Sequence, residues 1–171
     1  MFTLHEIYDL AMQIEKNGED FYRESEKKTS KTALKALFIW LAEEEVKHSQ
    51  WFMERKSLLK TDSETLALDE MTAKMLKDIL GDQRFSLGEA KIEHIETAED
   101  LLSIALEFEE DTIIFFRMLR SLIEDDDSIK GLDAIIEEET RHVEMLRDFR
   151  DGNGQGLITM KEKKREDISN E

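Results

Sequence analysis

The chain has 171 residues, 38% of them charged and 40% hydrophobic, with no proline, no cysteine, seven glycines and a formal net charge of −17. That length fits one domain with a substantial core, and the composition favours long, amphipathic, solvated helices over a sheet. The charge argues against nucleic acid or an anionic membrane surface as partner, since both repel an acidic protein. The lack of cysteine excludes disulfides, zinc–thiolate sites, rubredoxin-type iron and iron–sulfur clusters from this chain. Any metal must then be held by carboxylate and imidazole. The N-terminus has no basic start and its apolar residues are interrupted by charges, and no apolar run is long enough to span a bilayer, so a cytoplasmic protein is expected.

The first predicted helix covers about 4–27. Its apolar side is Leu4, Ile7, Ala11, Ile14, Gly18, Phe21 and Tyr22, the three-four spacing of one helix face. Thr29, Ser30 and Lys31 break the pattern, and Ser30 or Thr32 is expected to cap the next helix. That helix covers 32–59, with a stripe of Leu34, Phe38, Leu41 and Phe52 in which Glu45 and His48 fill two places. Between 61 and 96 the pattern is weaker. Met71, Met75, Leu76 and Ile79 predict a short helix opened by Asp69 and ended by Gly81, followed by an irregular connection.

The third long helix opens at Thr97, with Asp100 standing where a capping box carries Glu or Gln, and runs to about 123. Asp125, Asp126, Asp127 and Ser128 read as an acidic turn before a fourth helix over 129–149. Gly152, Gly154 and Gly156 end that helix, and the polar residues 151–171 read as a flexible tail. The expected fold is therefore all-α: one four-helix bundle over residues 1–150, made of two antiparallel hairpins. The link of about 35 residues between them is too long for a simple turn and fits a crossover running back along the bundle, with a short helix inside it.

The two hairpins repeat at an offset of 94. Residues 11–22 read AMQIEKNGEDFY and residues 105–116 read ALEFEEDTIIFF; residues 41–48 read LAEEEVKH and residues 135–142 read IIEEETRH. Glu15 thus matches Glu109, Glu45 matches Glu139, and His48 matches His142. The second helix carries these residues in the row 34, 38, 41, 45, 48, 52. The third has 102, 105, 109, 112, 116, 119, and the fourth has 132, 135, 139, 142, 146, 149. Each row steps by three and four and so faces the core, with carboxylate or imidazole at its middle. Glu15 sits similarly between Ala11, Gly18 and Tyr22.

Four carboxylates in one core are costly, because each unpaired buried ion is penalised by several kcal/mol and like charges oppose one another's ionisation. Two divalent cations solve both problems, with the imidazoles as neutral ligands. Glu15 and Glu45 each lie about fifteen residues from the turn near residue 30, hence roughly 22 Å from it and at one level. In Glu-x-x-His the two side chains share a face, so one metal can use both. The expected metal site is therefore Glu15, Glu45, His48, Glu109, Glu139 and His142, with iron or manganese favoured by the sulfur-free donor set and zinc also able to bind. Glu43, Glu44, Glu137 and Glu138 fall ~100–200° off the stripe and are read as mostly solvated. His5 and His94 are read as surface residues. Glu19 is read as a solvated helix position, with support of the ligands as the second reading, and Tyr22 as core packing, with a redox or hydrogen-bonding role near the metals as the second reading. Gly18 offers room for close approach of a partner or ligand.

At these residues the chain resembles the ferritin-like superfamily and, within it, the rubrerythrins; AMQIEKNGEDFY and LAEEEVKH look like the motifs of the rubrerythrin first hairpin. The resemblance covers residues 4–149 apart from the crossover. It implies a ferritin-like bundle holding two iron ions on the six residues, with Glu15 and Glu109 as terminal or bridging ligands; which glutamates bridge stays open, the superfamily suggesting Glu45 and Glu139. It departs in two places. Without cysteine this chain cannot hold the rubredoxin-like iron that delivers electrons in rubrerythrins, and Thr112 stands where those proteins have a further glutamate. The implied function is a non-haem di-iron oxidoreductase, of ferroxidase or peroxidase type, that takes O2 or hydrogen peroxide as oxidant. Electrons would come from a separate donor, and the assembly expected by analogy is a homodimer. The alternative is a metal-binding or interaction module, holding zinc, manganese or iron without turnover.

Overall fold

The computed structural model describes residues 3–59, Lys74 and 97–152. Apart from Lys74, the predicted short helix and irregular connection between 61 and 96 lie outside the described residues, as does the predicted tail beyond Gly152.

Four helices make up the described fold: α1 (Leu4–Lys28), α2 (Thr32–Leu58), α3 (Ala98–Arg120) and α4 (Asp126–Arg150). Their ends show why the chain starts and stops helices where it does. Thr3 opens α1 with a full capping box, its hydroxyl accepting from Glu6 N–H at 3.2 Å while the Glu6 carboxylate accepts from Thr3 N–H at 2.8 Å. Thr97 opens α3, its hydroxyl accepting from Asp100 N–H at 3.1 Å and donating to the Asp100 carboxylate at 2.6 Å. This is the cap expected from the sequence.

Two expectations at helix ends need correction. Neither Ser30 nor Thr32 caps α2. Lys31 occupies that position without a side-chain bond, and the nearby hydroxyl of Thr29 accepts from Lys31 N–H at 3.3 Å within the turn instead. The acidic turn is also the beginning of α4. Asp125 accepts from Ser128 N–H at 2.8 Å, which places Asp126 and Asp127 in the first turn, where the helix dipole favours negative charge. At its far end Gly152 takes φ 77°, the left-handed conformation that stops a helix.

α1 packs along α2 and α3 along α4, as two hairpins, with α1 also meeting α3 and α2 meeting α4. The hairpin turns lie at opposite ends of the bundle. Lys31 and Leu34, beside the first turn, share a cleft with Ala98 and Leu102 at the start of α3 and Phe149 at the end of α4. At the other end Phe52 of α2 packs against Phe116 of α3 with the rings tilted and their centroids 5.0 Å apart. Helix α2 therefore ends far from where α3 begins. No helix among the described residues is long and apolar enough to cross a membrane.

Every residue of the predicted core faces is buried except Leu4 and Phe149, which are half-buried. Two aromatic layers bracket the middle of the core. Tyr22 stacks on Phe38 at 6.0 Å on the side of the first hairpin turn, and Tyr8 lies 6.0 Å from Phe52 on the other side. Burying each such ring contributes roughly 1.5–3 kcal/mol, so these layers stabilise a bundle whose centre is polar.

Candidate metal centre

Glu15, Glu45, Glu109 and Glu139 are 0% exposed, His48 2% and His142 1%. The structure thus brings all six predicted residues together, from four helices, in one layer shielded from water. They form two overlapping groups: Glu15, Glu45, His48 and Glu139, and Glu45, Glu109, Glu139 and His142, each with one donor atom per residue within 4.8 Å of the others. Glu45 and Glu139 belong to both.

The donors crowd one another without satisfying one another. His48 Nδ1 lies 2.9 Å from Glu139 Oε1 and 3.7 Å from Glu15 Oε2, and His142 Nδ1 lies 2.8 Å from Glu139 Oε2 and 3.7 Å from Glu109 Oε1. The two rings stack at 5.8 Å. Yet both oxygens of Glu15, Glu45 and Glu139 and both Nδ1 atoms lack a hydrogen bond, because the short contacts are not aligned as such. Buried polar atoms are rarely left in this state, and each unmet group costs about 1–3 kcal/mol. A cation placed among them meets that demand. The donor set fits two divalent ions: four carboxylates balance their charge and leave the imidazoles neutral.

The ionisation behaviour carries the same signature. Burial and the charges of Glu15, Glu139 and Glu109 push Glu45 well above the usual carboxylate range. Burial and the Glu139 charge raise Glu109 to about 7, against the pull of His142. Glu139 behaves oppositely: burial works to raise it, but the two histidines beside it hold it far below the ordinary value. Burial likewise works to lower His48 and His142, and the Glu139 charge overcomes it, raising His48 well above its ordinary value and His142 to about 9. Without metal, Glu139 is thus the anion that two imidazoles share, while burial and like charges dominate at Glu45.

Tyr22 packs in the core and also takes the hydrogen-bonding role of its second reading, its hydroxyl donating to Glu109 Oε1. Two residues do more than the sequence pattern suggested. Glu138 is not simply solvated, because its Oε2 lies 3.0 Å from His48 Nε2, and Glu44 is half-buried beside the same pair. A side chain ~100° off the core stripe lies at the seam with the neighbouring helix rather than in water, and one-face reasoning overlooks that seam. Glu43 and Glu137 are exposed as expected, His5 is half-buried, and His94 lies outside the described residues. Glu19 pairs with Lys16 at 3.0 Å and Arg23 at 2.7 Å on the surface. Thr112 is fully buried in the row of Glu109, its hydroxyl without a hydrogen bond.

Gly18 makes room for the site. A methyl group there would stand 2.9 Å from Phe108 Cε1 and 3.1 Å from Glu45 Cδ. Gly18→Ala gains about 1 kcal/mol of helix propensity, but overpacking a filled core costs roughly 1–3 kcal/mol. The expected result is a lower melting temperature by calorimetry together with weaker metal binding in a titration, because Glu45 is displaced. An unchanged metal affinity would refute the close approach.

Solved structures share this architecture. A Thermotoga maritima protein proposed to be a ferritin-like diiron-carboxylate protein superposes with a TM-score of 0.67 at 23% identity, covering 88% of this chain and 95% of that one. A hypothetical protein of Pyrococcus furiosus superposes at 0.64 with 20% identity, covering 91% of each chain. At these identities the likeness establishes the fold. No curated protein matches the sequence. The family model of rubrerythrin matches residues 6–150, a span that takes in all four helices and all six buried donors. With its paired hairpins and its two overlapping carboxylate–histidine groups, the chain belongs to the rubrerythrin family.

Proposed function

We propose that this chain is a non-haem di-iron oxidoreductase that reacts with O2 or hydrogen peroxide, its electrons being replenished by a separate donor. The observation that carries the proposal is the pair of four-residue groups sharing Glu45 and Glu139. Glu45 and Glu139 would help hold both ions, together with Glu15 and His48 for one and Glu109 and His142 for the other. A bound iron pair supplies electrons to the oxygen–oxygen bond of the oxidant. The chain's residues supply the rest. Tyr22 fixes the orientation of Glu109 through its hydroxyl. The aromatic layers around Tyr22–Phe38 and Tyr8–Phe52 keep bulk water from the donors. Manganese or zinc would also satisfy this oxygen–nitrogen set. Thr112 offers a hydroxyl where the family resemblance leads one to expect a seventh carboxylate, which supports oxidation of Fe(II) more than turnover of peroxide.

The test is anaerobic loading with Fe(II), metal analysis, and rapid mixing with O2 or peroxide. Two irons per chain and a rise in ferric absorption faster than that of free Fe(II) are expected. If iron binds and neither oxidant reacts faster than with free Fe(II), the redox reading fails and a binding module without turnover takes its place.

A further inference from the structure

We propose that Glu138 is a positioning residue that makes the two halves of the metal centre unequal, by holding the outer nitrogen of His48 while its repeat counterpart leaves His142 unheld. The inference rests on the metal-centre reading above and concerns how the protein tunes that centre.

At an offset of 94, Glu44 matches Glu138 and Lys47 matches Arg141, so strict repetition predicts that each glutamate serves one histidine. The structure breaks the symmetry. Glu138 Oε2 reaches across from α4 to His48 Nε2 on α2, at 3.0 Å. On the other half, His142 Nε2 is buried and has no hydrogen-bond partner, with the edge of Trp40 packed against the ring at 5.1 Å. Glu44, paired with Lys47 through Oε1, lies beside His48 and Glu138 rather than against His142, while Arg141 stands 3.4 Å from Glu138 Oε1 and Oε2 crosses the seam.

The chemical consequence follows from what each atom can do. An ionised carboxylate only accepts, so Glu138 requires the proton of a neutral His48 to sit on Nε2. Nδ1, the nitrogen facing Glu15 and Glu139, then keeps its lone pair for a metal. The carboxylate also makes the imidazole more basic and fixes its ring, which strengthens its bond to a cation. His142 has neither constraint. The ion on the His48 side should therefore bind more tightly than the ion on the His142 side.

The full chain, metal-free, is titrated anaerobically with Co(II), followed by visible absorption and calorimetry. Wild type should take up two equivalents with separate affinities. Glu138→Ala should weaken the tighter one by about 10–100-fold and alter its cobalt bands, leaving the other in place. Glu138→Gln keeps an accepting oxygen and should retain most of the affinity. Glu138→Asp keeps the charge but is a methylene too short, and should lose it. Glu137→Ala, exposed on the same helix and outside the donor groups, should leave both affinities within about twofold. The Glu138 side chain is 39% exposed, so truncation opens no core cavity, and the circular dichroism of each variant checks its fold. Wild-type uptake of two ions with an unchanged Glu138→Ala variant, or with equal weakening of both ions, overturns the assignment of Glu138 alone. Failure of the wild-type protein to bind any cobalt or iron overturns the metal centre with it.

Discussion

Glu139→Gln should destabilise the metal-free protein by about 3 kcal/mol, whereas Glu45→Gln should leave it unchanged or make it more stable. The two residues are repeat counterparts, both 0% exposed, and both belong to each donor group. Their surroundings differ. Glu139 has an imidazole nitrogen at 2.9 Å on one side and 2.8 Å on the other, so removing its charge leaves two buried histidines without the anion that stabilises them. Glu45 is raised by burial and by the charges of Glu15, Glu139 and Glu109, so replacing it with a neutral amide removes a group already resisting ionisation. For a chain of this length about 3 kcal/mol corresponds to a fall of roughly 6–12 °C in melting temperature. Calorimetry in the presence of a chelator at pH 7 measures it. With metal present the contrast should vanish, because both variants lose a ligand shared by the two groups. A metal-free Glu45→Gln protein less stable than Glu139→Gln would contradict this assignment of charge.

The metal-free protein should also become less stable as the pH rises from about 5 to about 9. Glu109 is raised from 4.5 to about 7 by burial and by Glu139. A raised group contributes stability that is fully present below its unfolded value and lost as pH climbs through its folded one, so the Glu109 contribution disappears between about 4.5 and 7. Its size is on the order of 3 kcal/mol. His142 is raised from 6.5 to about 9, and by the same sign its contribution disappears between those values. Glu45 and His48 are raised too and act in the same direction. Glu139 is lowered, so its contribution is present above 4.5 and is lost only in stronger acid. The metal-free melting temperature should therefore fall steadily across the neutral range. Bound metal should cancel or reverse the trend, since cations bind these side chains in their deprotonated forms and metal affinity rises with pH. Melting curves at pH 5.5, 7 and 8.5, with chelator and with Fe(II) under anaerobic conditions, separate the two. A metal-free protein that gains stability toward pH 8.5 would refute the electrostatic account of the site.

Much of this molecule was legible because its information is periodic. Glu45 and His48 interrupt an apolar stripe at three-four spacing, and a residue on such a stripe is buried whatever its polarity. The repeat at 94 then joined two separate helices to the same site. The helix ends were less legible. Lys31 holds the cap position of α2 without any capping side-chain bond. Three successive aspartates read as a turn, yet the first of them caps α4 and the next two lie within it. Such choices depend on a few tenths of a kcal/mol per residue, which tertiary contacts readily override.

The sequence by itself determined the all-α bundle, the pairing of its helices and the six carboxylate and imidazole residues buried at its middle, because hydrophobic period and residue spacing survive without any knowledge of distance. Only the tertiary structure decided how the donors divide the work. It made Glu139, and not its counterpart Glu45, the anion between two imidazoles. It set Tyr22 against Glu109, Gly18 beneath Glu45, and Glu138 against the outer nitrogen of His48 while leaving His142 without one. A repeat in sequence specifies equivalent positions on equivalent helices. The electrostatics of a buried carboxylate change over a few ångströms, and distances on that scale are set by side-chain packing across helix seams.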